Sequence, residues 1–207
     1  MTKSLAVVGA SGHAKVAADA ALAGGWRSVV FFDDGFPELT HVGRWAVEGD
    51  TQDLADIAGR FDSIVVGLGD NRSRLEKLLE LESLGAAAGI IIHPQAVVSH
   101  FAEMGVGALV FAGAVINVDV RVGRGVIVNN GATVYHDCVL EDGVHLSPGV
   151  HLAGGVTVGE CSWVGIGASV KQGVTIGRDV MVAAGAIVIH DIPDGTTVMG
   201  VPARSSG

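Results

Sequence analysis

One of the chain's eight histidines stands where chemistry is plausible. His136 is followed directly by Asp137 in the run Val134-Tyr135-His136-Asp137-Cys138. An imidazole next to a carboxylate is a combination that general acid–base catalysis draws on, although a plain surface histidine has the same neighbours. Covalent catalysis has less support: no G-x-S-x-G elbow occurs, and Cys138 and Cys161 have neither a histidine motif nor CxxC spacing. The histidines lack acidic or cysteine partners at ligand spacing, so no metal is expected. A second chemical signal lies near the start. Gly9–His13, GASGH, places backbone N–H groups at a helix start, which suits a phosphate. It lacks the GK[ST] ending of a phosphate-binding P-loop and the full GxGxxG fingerprint, so an NAD-binding domain stays open as the alternative.

His136 owes its setting to a repeat. Stepping by six from Ile92 through Val98, Met104, Val110 and Ile116 to Val188 meets an aliphatic residue or Met at all seventeen first places. The fifth places, from Ala96 through Ala114, Ala132, Cys138 and Val150 to Ala186, hold small or β-branched residues. Six residues match neither a helix nor two-residue alternation. The period predicts a solenoid of short strands with three strands per coil, first and fifth places facing inward. His136 takes a third place, outside that interior. Glycine often follows the aliphatic residue (Gly123, Gly159, Gly165, Gly177), and those corners are expected to need backbone conformations that a Cβ opposes. Such a column cannot bury its own ends and faces, which favours self-association.

Residues 1–90 read differently, as a separate domain before the solenoid at 91–207. Leu5–Gly9 and Ser28–Asp34 are expected strands, with a helix between them. Asp62–Asn71 is a third strand running into a Gly-rich turn, and RSRLEKLLELESLG is a second helix. Alternating β and α elements predict a small parallel sheet of Rossmann-like type. Ligands of such sheets bind at the carboxyl ends of the strands, where Gly9–His13, Asp33–Asp34 and Gly67–Arg72 fall.

Composition removes whole classes of function. A net charge of −9, with only 13 Lys and Arg and no basic run, argues against nucleic-acid binding. No 18-residue apolar run exists, and the apolar stretch in MTKSLAVVGASGH is too short for a signal peptide. The expectation is a cytoplasmic protein without membrane insertion.

GASGHAKV, FFDD, VVGLGDNRSR and IHPQAVVS leading into hexads occur in that order over nearly the whole chain. This order resembles the hexapeptide-repeat acyltransferases, in particular the nucleotide-linked 4-amino-sugar N-acetyltransferases of the bacillosamine and perosamine type and the related sialic acid O-acetyltransferases. The resemblance implies a left-handed parallel β-helix, a homotrimer, acetyl-CoA as cosubstrate and a nucleotide-linked amino sugar as acceptor, with UDP favoured because of the double acid. It implies that Gly9, Ser11, Gly12 and His13 hold the diphosphate, that Asp33 and Asp34 face the base, and that Gly69, Asn71 and Arg72 complete the pocket. It assigns His136 as general base with Asp137 orienting it, and His145 with a backbone N–H at Gly154 as oxyanion donors. The ending GVPAR matches the family's G-x-P-A-[KR], which lies beside CoA and would let Arg204 meet its phosphates. Gly165, Ile166 and Ala184 are candidate contacts for the pantetheine arm. A serine acetyltransferase fits less well, because the first domain lacks a helical-bundle pattern. A nucleotide-sugar-binding scaffold without activity is the alternative from a different class.

Overall fold

A computed structural model describes residues 3–52, 56 and 59–205. The chain forms two compact units, Met1–Pro94 and Gln95–Gly207.

The first unit is built on a five-stranded sheet. Strands β1 (Ser4–Val8), β2 (Ser28–Phe32) and β5 (Ser63–Val66) are parallel, with β1 in the middle. Leu5 to Val8 are fully buried, as expected for a central parallel strand covered on both faces. Helix α1 (Gly12–Ala23) turns five alanines inward, and a Cβ added at Gly67 would come 2.6 Å from that of Ala14. Small residues on both sides therefore let α1 lie close to the sheet. Strands β3 (His41–Val42) and β4 (Trp45–Gly49) extend the sheet beyond β2 as a hairpin that the alternating β/α pattern did not include. Trp45 packs on Phe31 there, with ring centroids 5.7 Å apart. Helix α2 (Asn71–Ser83) follows β5 and buries Leu75, Leu78 and Leu81.

The second unit is a left-handed parallel β-helix of two-residue strands in three sheets. Val98, Ile116, Val134, Leu152, Val170 and Val188 stack in one sheet, each eighteen residues from the last. First and fifth places fill the interior, which is a continuous ladder of aliphatic and small side chains from Ala108 to Val198. Ile92 does not take part in this way, being exposed while its neighbour Ile91 is buried.

The corner glycines have a different cause from the one expected. Positive φ occurs at the fourth place of the hexad, as in Gly131 and Gly149, and there also in Asp119, Asp137, Cys161 and Asp179. The glycines after the aliphatic residue are required by close approach of successive coils. A Cβ at Gly159 would lie 2.5 Å from the carbonyl carbon of Gly177, one coil further on.

Candidate active site

His136 and Asp137 occupy the corner between the sheet of Thr133–Val134 and the sheet of Val139–Leu140. Asp137 has φ 60°, a left-handed turn that swings its carboxylate back to the preceding residue. His136 Nδ1 and Asp137 Oδ2 lie 2.6 Å apart, and both side chains are at least half exposed. A carboxylate can only accept, so this contact places a proton on Nδ1, and in the neutral tautomer the lone pair then falls on Nε2. Gly154 sits one coil above. A Cβ there would come 2.6 Å from Cε1 and 2.7 Å from Nε2 of His136, so the missing side chain is what makes room for the ring. The Gly155 N–H donates to the His136 carbonyl at 2.9 Å. A polar groove of about 390 Å³ runs beside this corner, lined by Phe101, Glu103, Asp119, Arg121 and Asp137.

His145 is elsewhere on the prism. It lies in the third sheet, the side opposite the corner that carries His136. Its ring is buried under Trp163, stacked at 4.5 Å with 27° between planes. Asn129 Nδ2 approaches its Nε2 at 3.3 Å, and Trp163 Nε1 donates to Ser147 Oγ at 2.7 Å. The structure thus joins His136, Asp137 and Gly154 in one place, and within one chain it does not bring His145 to them. Asn129 and Trp163 went unnoticed in the sequence. A step of one coil from His145 reaches Trp163 directly.

Gly165, Ile166 and Ala184 form one ridge at the next corner. A Cβ on Gly165 would meet the Ala184 nitrogen at 2.7 Å, the Gly185 N–H donates to the Ile166 carbonyl, and Ile166 is 56% exposed. One coil above, the chain end turns back through Gly200 so that Arg204 pairs with Met199 at the end of the same sheet. Arg204 is exposed.

Cys138 offers no nucleophile. Burial pushes its thiol pKa up, and Sγ donates to the Ala153 carbonyl at 3.1 Å. Among the described residues there is no cluster of three metal-ligating side chains, and no helix is long and apolar enough to cross a membrane.

In the first unit the expected loops meet at the carboxyl ends of β1, β2 and β5. Ser11 caps α1, accepting from Ala14 N at 3.3 Å, and its hydroxyl donates to the Gly67 carbonyl at 3.1 Å. Gly9 has φ 94°, and a Cβ on it would strike Leu68 at 2.6 Å. Gly12 has open space on that side, so its backbone is free to face a ligand. Asp33 ties the loops together, accepting from Ala10 N at 2.7 Å and from Gly35 N at 2.9 Å. Asp34 is held by the Thr51 hydroxyl and backbone N–H. His13 is pushed down to about 4 by burial and, secondarily, by the Arg74 guanidinium, which keeps it neutral near pH 7. Gly69 and Asn71 line the turn after β5, and Arg72 is exposed on the first turn of α2. The buried cation here is Arg74, which the sequence reading passed over.

Residues 4–81 match the PglD N-terminal domain family. The acetyltransferase domain of PglB from Neisseria gonorrhoeae FA1090 is 42% identical, with a TM-score of 0.94 over 99% of this chain and 100% of that one. The same domain is also known in complex with acetyl coenzyme A. PerB from Caulobacter crescentus, in complex with CoA and GDP-perosamine, is 38% identical with a TM-score of 0.94, over 100% of this chain and 99% of that one. WeeI from Acinetobacter baumannii AYE is 25% identical with a TM-score of 0.89, over 99% of this chain and 100% of that one. No curated protein sequence matches significantly. With relatives 42% and 38% identical over essentially the full length, the chain belongs to the hexapeptide-repeat acetyltransferases of the nucleotide-linked 4-amino-sugar N-acetyltransferase family.

Proposed function

We propose that the chain transfers the acetyl group of acetyl-CoA to the 4-amino group of a nucleotide-linked amino sugar, with UDP as the favoured nucleotide. The observation that carries the chemistry is the 2.6 Å contact between His136 and Asp137 beneath Gly154. The amine nitrogen attacks the thioester carbonyl carbon, His136 Nε2 accepts the amine proton, and as the C–S bond breaks the resulting imidazolium returns that proton to sulfur, so that CoA leaves as the thiol. The Nδ1–H to Asp137 holds the ring in the tautomer that can accept and stabilises the imidazolium that forms. A buried, hydrogen-bonded Cys138 thiol favours this direct attack over an acetyl-enzyme.

His145 and the Gly154 N–H are the proposed oxyanion donors, with Gly165, Ile166, Ala184 and Arg204 along the path of CoA. Because His136 and His145 lie on opposite sides of one prism, a site that uses both is assembled from two copies, and a closed ring of three supplies each copy with a neighbour. Exposed Val118 and Tyr135 around the His136 corner, and Ile166 on the facing ridge, supply apolar surface for that contact. Gly9, Ser11, Gly12 and His13 take the diphosphate, Asp33 and Asp34 lie toward the base, and Gly69, Asn71 and Arg72 close the pocket.

Kinetics of His136→Ala test the assignment. Turnover is expected to fall by about 10²–10⁴-fold, the range for a general base, with acetyl-CoA binding within about twofold of the wild type. Equal loss of turnover and binding contradicts a base.

A further inference from the structure

Arg74 carries a full charge with no solvent exposure, in the unit proposed to hold the nucleotide. Its guanidinium donates to the carbonyls of Leu68 and Gly69, both at 3.1 Å, and to Asn71 Oδ1 at 2.9 Å. Leu68 and Gly69 lie in the turn between β5 and α2, and Asn71 opens α2. Asp70, the N-cap of α2, belongs to the same turn; hydrogen bonds from Ser73 and, less strongly, the charges of Arg74 and Arg72 hold its carboxyl below the usual range. The turn in turn locks the Gly9–His13 loop, since Leu68 fills the space over Gly9 and the Gly67 carbonyl accepts from Ser11. His13, on the same loop, lies within reach of the Arg74 charge, which adds to burial in lowering its pKa.

We infer that Arg74 is the positioning residue of the nucleotide-diphosphate site, bracing both loops from behind and lending them a buried positive charge. A planar fork reaches three acceptors spread over four residues; an ammonium on a flexible stem does not hold them together. A charge removed from solvent is also weakly screened, so it adds an attractive field for a diphosphate held by the loops it braces. The neighbouring helix N-termini of α1 and α2 add partial positive charge at the same end of the sheet. The inference rests on the nucleotide-sugar reading and adds to it a residue that touches the loops and not the ligand.

Calorimetric titration of the full chain with UDP, GDP and dTDP gives the nucleotide that wild type binds best, and that nucleotide serves as the probe. Arg74→Lys, which keeps the charge, is expected to weaken its binding about tenfold, the equivalent of one lost charge-assisted hydrogen bond. Arg74→Met is expected to weaken it further. In both, KM for the nucleotide sugar rises while KM for acetyl-CoA stays within about twofold. Nucleotide binding by Arg74→Lys within about twofold of wild type overturns the bracing role, and this variant stays informative if Arg74→Met fails to fold. Equal weakening of acetyl-CoA and nucleotide overturns it as well, since that is general unfolding. If wild type binds none of the three nucleotides, the nucleotide reading itself falls, and the inference falls with it.

Discussion

The ring of His136 occupies the space where a Gly154 side chain would be, with Nε2 2.7 Å from the position of a Cβ. Gly154 has no positive φ, so alanine fits the backbone there and tests the contact alone. Gly154→Ala is expected to push the imidazole off its axis and cut kcat by about 10²-fold, as sub-ångström misplacement of a catalytic group does. Melting temperature should change little, and steady-state kinetics beside a thermal melt check both.

Asp137 sits in the left-handed region, which asparagine tolerates better than most residues other than glycine. Asp137→Asn therefore removes the charge while sparing the corner. The expected result is a fall in kcat of about 10²–10³-fold with acetyl-CoA binding intact. An unchanged kcat would reduce the His136–Asp137 contact to a surface ion pair.

Trp163 holds His145 by stacking and anchors itself on Ser147. Trp163→Phe keeps a ring over the imidazole and loses one hydrogen bond, costing about 1 kcal/mol of stability with kcat nearly unchanged. Trp163→Ala frees the imidazole and is expected to lower kcat about tenfold. Denaturant titration and kinetics on the pair separate packing from catalysis.

His13 makes stability depend on pH. Its folded pKa of about 4 lies below the ordinary histidine value of 6.5, so the unfolded chain binds the proton first as pH falls. The contribution is complete above the ordinary value and is lost progressively between pH 6.5 and about 4, by roughly 1 kcal/mol per pH unit and on the order of 3 kcal/mol in all. Urea titrations at pH 7 and pH 5 should show wild type losing more stability than His13→Gln.

The solenoid was readable because one coil is three hexads, and Val134, Leu152 and Val170 fall into one stack by counting alone. The pairing of His136 with Asp137 was suggested by the family resemblance alone, since sequence neighbours need not touch; the left-handed turn at Asp137 is what brings the carboxylate to the ring. Trp163 was hidden from that reading: its ring lies on His145 only once coils stack in register, eighteen residues apart. Arg74 was hidden too, since a charged residue one turn into a helix reads as solvated and only the turn at Leu68–Asn71 buries it. The glycines after the aliphatic residues were noticed, but their cause, contact between coils, is a property of the stack and not of any hexad.

Release of CoA thiol from acetyl-CoA, measured against UDP-, dTDP- and GDP-linked 4-amino sugars and sialic acid, tests the central claim most directly. The account predicts turnover with one of the nucleotide-linked amino sugars, UDP-linked first, and none with sialic acid. Turnover with sialic acid alone would contradict it and make the enzyme an O-acetyltransferase.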